Sequence, residues 1–138
     1  MIAIALSTLL AAGNVAAHHA TVEHRGQRYD VAHRAQVETR ARTVGAATGS
    51  KPGIQRCRWT ATVQVQRSIA RAGDGAAATS LLPGTRTLEG DRYGACMGQV
   101  AVHDDRVRDV AAEMVAQARA DHSTTLAAID AAHALAAN

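Results

Sequence analysis

The chain has no phenylalanine, one tryptophan and two tyrosines among 138 residues. A core of this composition must be filled by Ala, Val, Leu and Ile, and Ala and Val packing makes it modest in stability. The same shortage removes the aromatic platforms on which single-stranded nucleic acids stack, so nucleic acid is not an expected partner. Lys51 is the single lysine against fourteen arginines, which leaves guanidinium as the main positive chemistry. Two cysteines, Cys57 and Cys96, are too far apart for a C-x-x-C redox pair or a zinc knuckle.

Long hydrophobic runs are also missing. The longest apolar stretch, residues 2–13, falls short of the roughly 20 residues a membrane span requires, so no transmembrane segment is expected in the mature chain. There is no G-x-S-x-G, H-E-x-x-H, P-loop or G-x-G-x-x-G. No catalytic residue, metal ligand set or cofactor is therefore assigned.

What is present begins with an address. The short apolar run is followed by Val15-Ala16-Ala17, with small residues at the −3 and −1 positions of a cleavage site, and the composition then turns abruptly to His, Glu and Arg. No Lys or Arg precedes the run. Residues 1–17 read as a signal peptide and 18–138 as a single exported domain, periplasmic or secreted. Arg in place of Lys and abundant Ala suit a bacterial chain. In an oxidising compartment Cys57 and Cys96 are expected to form a disulfide.

Periodicity divides the mature chain into three segments. "TVEHRGQRYDV" reads as a β-hairpin turning at Gly26-Gln27. From Tyr29 to Thr43 apolar or small residues take most odd positions, with His33 among them, and polar ones most even positions, the period of a half-buried strand. "QRCRWTATVQVQRSIAR" repeats that alternation after a Gly/Pro-bearing loop. "AGDGAAATS" reads as a connection, and a short fourth strand is expected only around Thr85–Leu88. From near His103 a stripe at steps of three and four marks one long helix, with "HSTT" at 122–125 as its weak point. The expected fold is α+β: a three- or four-stranded antiparallel β-meander with one long C-terminal α-helix on its apolar face.

Charge is divided unevenly. Residues 18–72 carry a net +7 and residues 73–138 a net −4. Strand parity puts Arg34, Arg40, Arg42, Arg56 and Arg58 on the polar sheet face, a candidate surface for an anionic envelope polymer or a protein partner. The competing reading is a solvated face partly neutralised by Glu38 and Asp30.

Three smaller constellations have plainer explanations. Asp105, Asp109 and Glu113 share a helix face that could hold a cation, or be balanced by Arg106 and Arg108. Asp130 and His133 stand one helical turn apart, as in an oriented base. Cleavage after Ala17 would expose a His18 α-amine and imidazole able to chelate copper, with His33 as a further ligand. A small hydrolase or a Cu/Zn-dependent enzyme assembled only in three dimensions is thus the alternative to a non-enzymatic binding domain. A deep pocket gathering His33, Tyr29 and helix carboxylates would favour the enzyme, and a flat Arg-rich face the binding domain.

Overall fold

The computed structural model describes residues 13–45, 54–73, 77–98 and 104–136. The segment 1–12, most of the proposed leader, lies outside them, as do the Gly/Pro-bearing loop at 46–53 and the start of the helical stripe at His103. Four strands form one antiparallel sheet: β1 (Gly13–His24), β2 (Gln27–Val44), β3 (Arg56–Arg71) and β4 (Ala77–Tyr93). Their order in space is their order in the chain, so each strand pairs with its sequence neighbour. Two helices follow, α1 (Asp105–Ala120) and α2 (His122–Ala136).

Alternation in β2 and β3 decides which sheet face is covered. Tyr29, Val31, Ala35 and Val37 are buried on β2, and Cys57, Trp59, Ala61, Val63, Val65 and Ile69 on β3. Because side chains alternate across a strand, all of these point to one face. On α1, Val107, Ala111 and Val115 recur every four residues and pack onto that face with Ala35, Val37, Trp59 and Val63. A second cluster joins Ile129 of α2 to Tyr29, Val31 and Ile69. Small residues such as Ala35, Ala61 and Ala111 are fully buried, and Trp59 is the one aromatic in the cluster under α1.

The β1–β2 hairpin turns at Arg25-Gly26, one residue earlier than the sequence suggested. Both residues have positive φ, 50° and 74°, the combination of a two-residue type I′ turn. Glycine therefore takes the second turn position, and Val22 rather than His24 faces Tyr29.

β4 is a 17-residue strand, not a short one around Thr85–Leu88. It lies at the sheet edge and borders a groove that Met114, Gln117 and Ala118 of α1 line from the other side. Pro83-Gly84 sits within it, where the pairing shifts register opposite Gln64–Gln66. An edge strand tolerates proline at such an irregularity.

The expected single helix is two. Asp121 ends α1, its N–H donating to the Ala118 carbonyl at 3.3 Å. Its carboxylate then accepts from the Thr124 N–H at 3.1 Å and the Ser123 hydroxyl at 3.0 Å, capping α2. A side chain that satisfies the free N–H groups of a helix start makes the interruption stable. At the other end of α1, Asp104 is the N-cap and accepts from the Arg106 N–H at 2.9 Å.

Cys57 and Cys96 form a disulfide with Cα atoms 4.7 Å apart. Cys96 N–H also donates to Thr43 Oγ1 at 2.9 Å. The bridge fixes the segment after β4 to the start of β3. Closing a loop of 39 residues contributes about 4 kcal/mol in the chain-entropy account.

Candidate functional site

The uncovered sheet face carries the arginines. Arg34, Arg40, Arg42, Arg56 and Arg58 are all exposed there. Pairing of β2 with β3 puts Arg42 directly opposite Arg58, Arg40 opposite Thr60 and Arg56 opposite Val44. Four guanidinium groups thus meet at one end of the sheet. Arg34 does not join them: it pairs with Gln66, six residues down the strand from Arg40, or roughly 20 Å away.

Carboxylates on both sides answer part of this charge. Glu38 lies 3.2 Å from Arg40, and Asp91 of β4 lies 3.4 Å from Arg58. Arg56 is 4.9 Å from the centroid of the Tyr93 ring, a cation–π distance. Among the described residues, Arg42 has no carboxylate within 4.0 Å. It lines a shallow depression with Arg40, Arg58, Thr60 and Glu89. Sequence reasoning missed Asp91 and Glu89 because it stopped the fourth strand at Leu88.

Most helix carboxylates are paired, while Asp109 is exposed and has no cation within 4.0 Å among the described residues. Asp105 pairs with Arg108, and Glu113 with Arg86 of β4 at 3.2 Å. Asp130 meets His24 rather than His133: His24 Nε2 is 2.8 Å from its Oδ1, and Arg25 Nε is 3.2 Å away. The His24 hydrogen bond, with the Arg25 charge behind it, holds the Asp130 carboxyl below its usual range. This contact ties α2 to the tip of the β1–β2 hairpin. Among the described residues, no group of three or more His, Cys, Asp or Glu side chains is placed to hold a metal ion.

The covered face holds a polar row. His18 of β1 pairs with His33 of β2, and His33 with Arg67 of β3, so three basic side chains cross the sheet side by side. They separate the Val/Ala/Trp cluster under α1 from the Tyr29–Ile129 cluster under α2. His33 and Arg67 are 3% and 7% exposed. His18 Nδ1, His33 Nε2 and Arg67 Nε are buried and lack a hydrogen-bond partner. Burial lowers the His33 pKa, and the Arg67 and His18 charges lower it further. Burial also lowers the Arg67 pKa, while Asp121 acts the other way. Arg67 was open to detection in the sequence, since it is a charge at an apolar-face position between Val65 and Ile69.

Among the described residues, no helix is long and apolar enough to cross a membrane. No family model, curated protein or solved structure matches this chain.

Proposed function

We propose that the chain is an exported bacterial domain, periplasmic or secreted, that binds an anionic envelope polymer on the Arg40–Arg42–Arg56–Arg58 end of its open sheet face. The observation that carries this reading is Arg42 directly opposite Arg58. Like charges at opposed positions of an antiparallel pair destabilise a sheet. Asp91 pairs with Arg58, whereas among the described residues no carboxylate lies within 4.0 Å of Arg42 and Glu89 of the same depression makes no ion pair. An arriving sulfate, phosphate or carboxylate would remove the repulsion and gain charge-assisted hydrogen bonds from guanidinium groups. The disulfide supports the compartment, because such bonds persist in oxidising surroundings. Cleavage after Ala17 would retain the β1–β2 pairs from His18–His33 to His24–Gln27.

The test is retention on a heparin matrix and on immobilised lipopolysaccharide. Wild type should bind at low salt and elute as salt rises, since the Debye length shrinks from about 10 Å at 0.1 M to 3 Å at 1 M. Arg42→Ala/Arg58→Ala should elute clearly earlier. Equal retention of both proteins, or passage of both in the void, would reduce the arginines to a solvated surface. Retention only on a protein partner would replace the polymer by that protein.

A further inference from the structure

The most deeply placed unpaired cation is Arg67, and it opens onto a groove. The groove, about 390 Å³, runs between β3, β4 and the α1–α2 junction. Val65, Leu82, Met114 and Ala118 line its apolar part, next to Arg67, and Arg86, Gln117, Asp121 and Thr124 line its polar part. Only 7% of Arg67 is exposed, its Nε has no partner, and no described carboxylate lies within 4.0 Å of it. Removing a charge from water without a close partner is costly, and an anion is the natural remedy.

Neighbouring charges leave that role unfilled. Arg86, also on the groove, is held by Glu113 at 3.2 Å and 3.4 Å. Asp121 is the carboxylate nearest in effect to Arg67, but its oxygens accept from Thr124 and Ser123 as the cap of α2. It is exposed, so water screens its repulsion of an incoming anion. A guanidinium at the base of an apolar-walled groove suits a ligand with an oxyanion at one end and hydrocarbon at the other.

We propose that this groove binds a small carboxylate with a short apolar tail, its oxygens on Arg67 and its tail against Leu82 and Met114. The site lies on the face opposite Arg42 and stands whether or not that outer face binds a polymer.

The experiment is a nuclear magnetic resonance titration of the full, oxidised chain at fixed ionic strength with acetate, hexanoate and hexanol, following the Arg67 Nε–H and Met114 methyl signals. Hexanoate should move both signals saturably and bind at least about tenfold more tightly than acetate, the gain expected when two of its four extra methylenes are buried. Hexanol, which keeps the tail without the charge, should leave the Arg67 signal in place. Arg67→Met should weaken hexanoate at least about tenfold by the Met114 signal, as loss of a charged partner does, while exposed Arg119→Gln should match wild type. A non-saturating hexanoate response, an equal Arg67 response to hexanol, or undiminished binding by Arg67→Met would overturn the site. Should Arg67→Met not fold, the wild-type comparison of hexanoate with acetate and hexanol decides alone.

Discussion

The Trp59 indole lies flat across the backbone of Gly90, its paired neighbour on β4, so closely that a Cβ at Gly90 would overlap the ring. The Arg106 guanidinium stands 5.6 Å from the ring on behalf of α1. The single tryptophan is thereby held by a strand and a helix at once, at 3% exposure. An edge strand that lacks apolar alternation is anchored here by what one residue omits.

Gly90→Ala should therefore destabilise the protein by about 1–3 kcal/mol, the usual range for overpacking. Urea unfolding followed by fluorescence checks it, and Trp59 is the sole indole reporter. Thr87→Ala, at an exposed position on the same strand, should stay within about 0.5 kcal/mol of wild type. Equal stability of Gly90→Ala and wild type would contradict the close approach.

The break between α1 and α2 depends on the Asp121 carboxylate. Asp121→Ala removes the acceptor for the Thr124 N–H and should lower the unfolding midpoint and the helical circular dichroism. Asp121→Asn keeps an acceptor and should retain most of both. The side-chain and backbone hydrogen bonds from Thr124 hold the Asp121 carboxyl below 3.8. Its stabilising effect is present above that value and lost as pH falls through the lower folded value. Acid titration of the helical signal should show this loss in wild type and not in Asp121→Asn.

His33 gives a dependence at milder pH. Burial, Arg67 and His18 lower its folded pKa below the ordinary 6.5. Between the folded value and 6.5 the unfolded chain binds more protons, so stability rises with pH across that window. The contribution is full above 6.5 and lost as pH falls from there to the folded value. Urea midpoints taken from pH 7.5 down to pH 5 should fall for wild type. The curve for His33→Gln should be flatter, and parallel curves would remove His33 as the cause.

The parts of this fold legible in the sequence are those with one wet and one dry side. β2 and β3 alternate because α1 covers one of their faces, so Val31 to Val37 and Cys57 to Val65 disclose both strand and orientation. β4 has no such partner along most of its length. Only Leu82, Leu88 and Gly90 are even half-buried, so its period is blank and Pro83-Gly84 imitates a turn. The helical stripe runs through Asp121 because both helices face the same sheet, so the sequence showed 122–125 only as a weak point and the Asp121 cap had to reveal the break. Parity placed Arg40, Arg42, Arg56 and Arg58 on one face, but the distance of Arg34 needed the register. The disulfide was legible from cysteine count and the expected compartment. Arg67 stands in the sequence as a charge at an apolar-face position, but that its Nε lacks a partner needed the structure.

The meander order has a consequence for how the chain becomes itself. Every strand finds its partner in the strand that precedes it, so the sheet can grow by successive short closures. Its roof arrives last, since Val107, Ala111, Val115 and Ile129 all follow β4. Until then the finished sheet exposes Val37, Trp59, Val63 and Ile69 together, along with an unpaired β4 edge. Such a surface is prone to self-association. The window of risk lasts until the roughly thirty residues of α1 and α2 have docked. Truncation within α2 ahead of Ile129 would leave the Tyr29, Val31 and Ile69 patch permanently uncovered, turning that part of the intermediate into the end state.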